Sequence, residues 1–293
     1  MKSINLTVVL AALIFSKSYA ILTPVTDWGE NPTNLDMALY VPPQVAENPA
    51  IVLALHYCGG TGLAYYLLAN YDKYADAKGF IVIYPTTHKD TNCWDVASEA
   101  SLSHDGAGDS GGLVNMVKYV TEKYNADPTK VFATGSSSGC MMTNVLLAAY
   151  PDVFAAGSCY SGVAATCLQG SPGSSPISAD PTCASGQNVH TGEEWAERVR
   201  AMYPEYNGTY PRMQTFHGTA DTFVNYPNLA EQLKEWSALL DVEFSKNITD
   251  TPQTGYTQMI YGDGTKLVGY SALGVGHTVP VHPDLDMAWF GLD

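Results

Sequence analysis

The chain has 293 residues, 46% of them hydrophobic and 15% charged, a balance that suits one large globular domain and excludes a disordered chain or a coiled coil. Twenty-nine acidic side chains against fourteen basic ones leave a formal net charge of −15, which excludes non-specific attraction to nucleic acid or to an anionic membrane surface.

The N-terminus sets the expected compartment. Lys2 precedes an almost wholly apolar stretch from Leu6 to Phe15, and Ser18-Tyr19-Ala20 puts small residues at the −3 and −1 positions of a signal-peptidase cut. The spacing predicts a removed signal over residues 1–20 and one domain over residues 21–293. The apolar run falls well short of the roughly twenty residues needed to cross a bilayer. Losing Lys2 and Lys17 leaves 12 basic against 29 acidic side chains, a mature charge of −17. A secreted, extracellular chain meets oxidising conditions, so the six cysteines are available for disulfides. Cys58 with Cys93 and Cys167 with Cys183 are the expected pairs, because each closes a Gly- or Ser-rich segment with little else to hold it; Cys140 and Cys159 remain. No CxxC spacing occurs, so no metal site is expected.

Along the mature chain, short β-branched runs alternate with longer amphipathic ones, the pattern of a mostly parallel sheet covered by helices on both faces. Asn34–Val41 reads as an antiparallel edge, Ala50–His56 as a buried strand, Ala64–Ala77 as a helix and Phe80–Tyr84 as the next strand. Gly106 to Gly111 matches GxGxxG, but the polar run Ser101 to Asp105 stands where a dinucleotide site needs a strand, so no cofactor is expected. Leu113–Tyr124 reads as a helix, Val131–Thr134 as a strand, Met141–Tyr150 as a helix and Ala155–Tyr160 as a strand. Leu168 to Gln187, rich in Ser, Pro and Gly, reads as a surface excursion within the domain. Glu193–Met202 and Leu229–Leu240 read as helices, and Met213–His217 and Lys266–Leu273 as the remaining strands. Glu193 and Glu194 open a helix, where they complement its dipole; as neighbours they project apart and make no glycosidase pair. Trp236, spaced with Leu229, Leu233 and Leu240, reads as core. Asn207 and Asn247 lie in N-glycosylation sequons, while Asn31-Pro32-Thr33 is blocked by its proline.

The strongest chemical signal is Gly135-Ser136-Ser137-Ser138-Gly139 between a strand and a helix. Only Ser137 has glycine at both −2 and +2, which makes it the expected nucleophile of a strand–turn–helix elbow. A serine hydroxyl needs a base, and in this arrangement the partners follow in the order Ser, acid, His on later loops. His277, in Gly274-Val275-Gly276-His277 after the last strand, is the expected base, with His282 as the fallback; His217 is assigned to the turn at the end of its strand. Asp221, four residues past the strand ending at His217, is the expected acid, orienting His277 and stabilising its imidazolium. The oxyanion donors are expected to be the amide of Ser138 and, from the Gly-rich loop Tyr57 to Gly62, the amide of Cys58. Trp94, in Asn92-Cys93-Trp94-Asp95, is balanced between packing and the substrate rim, and Tyr57 stands beside the oxyanion segment as a substrate contact.

These segments, together with Leu55 to Cys58, Phe80 to Pro85, Met141 to Asn144 and the closing Trp289-Phe290-Gly291, resemble the secreted acetylxylan esterases of carbohydrate esterase family 1 from about residue 25 to the end. Feruloyl esterases and polyhydroxybutyrate depolymerases share the broad pattern. The resemblance implies an α/β-hydrolase fold, no cofactor, and removal of O-acetyl groups from acetylated xylan or a related plant-cell-wall polysaccharide. It places the triad on Ser137, Asp221 and His277. Release of ferulate is the alternative activity, and a silent wall-binding protein on the same scaffold is the alternative outside enzymes. Sixteen residues follow His277, so no appended carbohydrate-binding module is expected.

Overall fold

The computed structural model describes residues 21–293; the expected signal at 1–20 lies outside them. Two short strands, β1 (Thr23–Val25) and β2 (Asp36–Tyr40), lead into β3 (Ile51–Leu55), α1 (Gly62–Ala69), α2 (Asp72–Lys78) and β4 (Ile81–Thr86). The middle of the chain is α3 (Asp109–Tyr124), β5 (Val131–Ser136), α4 (Ser138–Ala149) and β6 (Ala156–Tyr160). After it come α5 (Pro181–Ala184), α6 (Gly192–Arg200), β7 (Arg212–Gly218), α7 (Pro227–Leu240), β8 (Phe244–Thr249), β9 (Tyr256–Tyr261), β10 (Leu267–Ala272) and α8 (Pro283–Phe290).

The ten described strands form one sheet in the order β1-β2-β4-β3-β5-β6-β7-β10-β9-β8. The inner six, from β4 to β10, run parallel, and the margins are antiparallel. Alternation along β3 divides the core between the faces: Ile51, Leu53 and Leu55 pack in the layer holding Leu113 of α3, Val145 of α4 and Trp236 of α7. Val52 and Ala54 point the other way, towards Tyr65 of α1, Ala75 of α2 and Phe290 of α8. This is the α/β-hydrolase fold, and the carboxyl ends of β3, β5, β7 and β10 bring four loops to one rim.

Several elements depart from the sequence expectation. The helix expected over Ala64–Ala77 is two, because Asn70 takes a left-handed conformation (φ 54°) and caps α1. The β8–β9 hairpin and α8 carry no clear periodic signal and were not expected. β8 is an exposed outer edge whose pairing with β9 is interrupted by a register shift between Phe244 and Lys246. Thr191 and Glu194 form a capping box at the start of α6. All six cysteines are paired, as Cys58–Cys93, Cys140–Cys159 and Cys167–Cys183. Asn207 and Asn247 are exposed.

Two carboxyl groups are buried deep in this frame. Asp286 of α8 accepts from Tyr71 at 2.5 Å, Ser158 at 2.5 Å, Tyr160 at 2.7 Å and Gln214 at 3.1 Å, tying the last helix under the sheet; burial pushes its pKa up to about 6 against those bonds. Glu235 of α7 accepts from the Ala165 amide at 3.0 Å, and burial pushes it up to about 8. Folded, Glu235 keeps its proton to about pH 8; unfolded, it releases it near the ordinary glutamate value of about 4.3. Its contribution to stability is therefore full below that unfolded value and is lost as the pH rises towards 8, by up to about 1.4 kcal/mol per pH unit. Denaturant unfolding across this window is expected to show the stability difference between E235Q and the wild type shifting in favour of E235Q as the pH rises; a difference independent of pH would contradict this.

Candidate active site

The elbow is built from β5, α4 and what lies behind them. Ser137 sits between strand and helix at φ 55° and ψ −118°, a strained conformation that lifts its side chain to the surface of the sheet's carboxyl edge. The two glycines are required by contact distance. A Cβ on Gly135 would lie 2.4 Å from the carbonyl carbon of Gly139, and one on Gly139 would lie 2.2 Å from the Leu55 carbonyl oxygen on the neighbouring strand. The Ser137 amide donates to the Tyr160 carbonyl at 2.7 Å, which pins the turn to β6.

The acid and base loops are joined to each other before either reaches Ser137. Thr219 donates to the Ala272 carbonyl at 2.9 Å, Ala220 to the Val275 carbonyl at 3.0 Å, and Gly274 to the Thr219 hydroxyl at 2.8 Å. A Cβ on Gly218 would lie 2.2 Å from the Val275 carbonyl, so this approach too needs glycine. The result is a continuous chain of side chains: Asp221 Oδ2 to His277 Nδ1 at 2.7 Å and His277 Nε2 to Ser137 Oγ at 2.8 Å. Asp221 Oδ1 accepts from the amides of Phe223 at 3.0 Å and Val224 at 2.9 Å. Burial alone would raise the Asp221 carboxyl, but hydrogen bonds from His217, His277 and the Val224 amide outweigh it and hold the carboxyl well below the usual carboxylate range. An ionised Asp221 obliges Nδ1 of His277 to donate, which leaves Nε2 free to accept the Ser137 proton.

His217, assigned from the sequence to a turn, also faces the acid. It is fully buried, its Nε2 lies 2.8 Å from the Val224 carbonyl and 3.5 Å from Asp221 Oδ2, and its place at the end of β7 gave no hint of this second contact. His282, the fallback base, is placed elsewhere: it is the residue just before α8, and its ring lies 3.2 Å from the Tyr256 hydroxyl.

The site opens into a cleft of about 520 Å³ lined by Tyr57, Cys58, Met141, Val163, Leu168 and Phe223, among others. Ser138 is the first residue of α4, where the amides lack intrahelical acceptors and the helix dipole favours negative charge. Cys58 faces the same cleft as Ser137, and its disulfide to Cys93 stiffens the loop. His56, held neutral by burial that lowers its pKa to about 4, is 2.7 Å from the Tyr57 carbonyl and underpins this segment. Of the two roles open to Trp94, packing is the one observed: it is fully buried and does not reach the rim. Its indole donates to the His56 carbonyl at 2.8 Å and its amide to the Ser138 hydroxyl at 2.8 Å, so it supports the site from beneath. The Ser/Pro excursion does more than cover surface, since Ser174 to Ala179 form one wall of the cleft. Among the described residues no group of three or more His, Cys, Asp or Glu is arranged to hold a metal ion, and no helix is long and apolar enough to cross a membrane.

Fold and site together define a carboxylic ester hydrolase on the α/β-hydrolase scaffold. The chain belongs to the family described as Esterase PHB depolymerase, whose sequence model matches residues 35–187. It is 49% identical over 290 residues to a feruloyl esterase B of Talaromyces funiculosus, covering 99% of this chain and 82% of that one. It is 48% identical over 273 residues to acetylxylan esterase A of Aspergillus awamori, covering 92% and 89%. The solved acetyl xylan esterase from Aspergillus awamori superimposes with a TM-score of 0.88 at 46% identity, over 93% of this chain and all of that one.

Gly139→Ala is expected to destabilise the protein by about 1–3 kcal/mol, since strand and helix must part to admit the methyl group. It is also expected to lower ester hydrolysis more than tenfold, read by thermal unfolding and p-nitrophenyl acetate turnover; wild-type values on both would refute the packing account of the elbow.

Proposed function

We propose that this protein is a secreted serine esterase that removes O-acetyl groups from acetylated xylan through an acyl-enzyme. His277 Nε2 takes the Ser137 proton as Oγ attacks the acetyl carbonyl. The oxyanion is held by the amides of Ser138 and Cys58, a contribution that typically amounts to about 2.7–4 kcal/mol per donor. Collapse expels the sugar hydroxyl, protonated by His277, and leaves an acetyl ester on Ser137. Water then attacks with His277 again as base, and acetate leaves. Asp221 stays ionised throughout and stabilises the imidazolium.

The observation that carries this reading is the unbroken Asp221–His277–Ser137 chain, at 2.7 and 2.8 Å, opening on a cleft. The substrate follows the acetylxylan esterase relative and solved structure. Export is supported by the leader-like residues 1–20, by three disulfides, which persist in oxidising compartments, and by two exposed sequons at Asn207 and Asn247.

A second reading, release of ferulate, is favoured by the size of the cleft. An acetyl group fills only a small part of about 520 Å³, and the ring of Phe223, 71% exposed and 5.7 Å from the His277 ring, offers an aromatic acyl group a face to stack on. The relative named feruloyl esterase B is as similar as the acetylxylan esterases. Acetate and ferulate released from native arabinoxylan are to be measured side by side, with acetate expected to dominate. Ser137→Ala is expected to fold normally, to lose labelling by a serine-directed organophosphonate, and to release neither acid. Acetate release surviving in S137A, or a wild type that takes no label, would overturn the mechanism.

A further inference from the structure

Three consecutive residues, Asp90, Thr91 and Asn92, all adopt positive φ, at 42°, 60° and 59°. The turn they make faces two parts of the cleft at once. On one side the Gly59 amide donates to the carbonyls of Thr91 at 3.1 Å and Asn92 at 3.2 Å, the Asn92 side-chain Nδ2 donates to the Gly60 carbonyl at 3.0 Å, and Cys93 is bonded to Cys58. That side is the loop beside Ser137. On the other side a single oxygen, Asp90 Oδ2, accepts from the Ser174 amide at 2.7 Å, the Ser175 amide at 2.8 Å and the Ser178 hydroxyl at 2.6 Å. Ser174, Ser175, Pro176 and Ala179 are the cleft wall contributed by the Ser/Pro excursion. Gly173 is required by the same contact, since a Cβ there would lie 2.8 Å from the carboxylate oxygen and 2.2 Å from the Ser178 hydroxyl.

Bonds inside the wall set its local turn, with the Ser178 and Ala179 amides donating to the Ser175 carbonyl at 3.2 and 2.8 Å and the Ser175 and Ser178 hydroxyls 2.9 Å apart; its ties to the body are fewer. It contains no aromatic side chain, its tip at Ile177 is 87% exposed, and its second tie to the body is the Val96 amide donating to the Ser174 hydroxyl at 3.0 Å. Charge-assisted bonds from several donors to one carboxylate are the stronger kind, and the hydrogen bonds of Ser178, Ser175 and the two amides keep Asp90 ionised against its partial burial.

We propose that Asp90 is a positioning residue that fixes the Ser174–Ala179 wall against the Cys58 loop and thereby sets which acyl groups the cleft accepts. Asp90 touches no reacting atom. Ser137, Asp221 and His277 follow β5, β7 and β10 in turn and make no bond to it. The loss of Asp90 therefore affects substrates large enough to lean on the wall and spares those that are not. The selectivity half of this rests on the esterase reading above; the latch half does not.

The test compares wild type, Asp90→Ala and Asp90→Asn by two measurements. Hydrogen exchange reads the latch directly: the amides of Ser174 and Ser175 are expected to exchange at least about tenfold faster in D90A, with D90N, which keeps an accepting oxygen, in between. Kinetics read selectivity: in D90A the KM for methyl ferulate is expected to rise about tenfold or more with kcat within about twofold, while kcat/KM for p-nitrophenyl acetate stays within about twofold, and D90N recovers most of the KM. Unchanged exchange at Ser174 and Ser175 overturns the latch. Faster exchange with both esters affected equally, or neither, overturns the selectivity role. A wild type inert to both esters and to organophosphonate overturns the esterase reading and the selectivity role with it, while exchange still decides the latch.

Discussion

The closeness of two backbones governs this molecule more than any other contact. Gly135 and Gly139 let the end of β5, the start of α4 and the Leu55 carbonyl of β3 approach to distances that no side chain would permit. Strain at Ser137 can persist only because the surroundings over-determine it. β6 holds its amide, Trp94 holds the neighbouring hydroxyl, and the first turn of α4 follows at once. Once the serine is lifted to the sheet edge, the other loops have one place to meet it. The Asp221 and His277 loops, joined to each other through Thr219, Ala220 and Gly274, arrive there as one unit.

Rigidity of the elbow has a counterpart on the opposite face of the sheet. α8 covers β6 and β7 with Asp286, whose carboxyl gathers hydrogen bonds from Tyr71, Ser158, Tyr160 and Gln214 and so ties two strands and the start of α2 to the last helix in one buried network. Such a network fixes register rather than adding much net stability, because the charged form pays a desolvation penalty that burial imposes. The His277 loop lies directly before this helix, so the position of His277 inherits the anchoring of the chain end.

Much of this was legible in the sequence. The parallel core strands are short, apolar and β-branched, and the spacing of Gly around Ser137, with Asp221 and His277 following after later strands, reflects steric and chain-order constraints that a one-dimensional pattern preserves. What escaped it depends on three-dimensional neighbours. Asn70 splits a run that is helical by periodicity, because one residue adopts a left-handed cap. β8 is exposed on nearly every residue and so lacks the alternation that marks a half-buried strand. Trp94 could be placed near the site from its position, but whether its indole points into the cleft or beneath it is decided by the His56 carbonyl from a remote part of the chain, and the contact of His217 with Asp221 depends on how the turn between them folds back.

The register shift in β8 bears on how such a molecule behaves at high concentration. A ten-stranded sheet has two open margins, and a flat outer strand would offer unpaired amides and carbonyls to a second molecule. Here the outer strand shifts register against β9 between Phe244 and Lys246 and carries a cation within its length. The shift and the lysine together work against edge-to-edge growth at this margin.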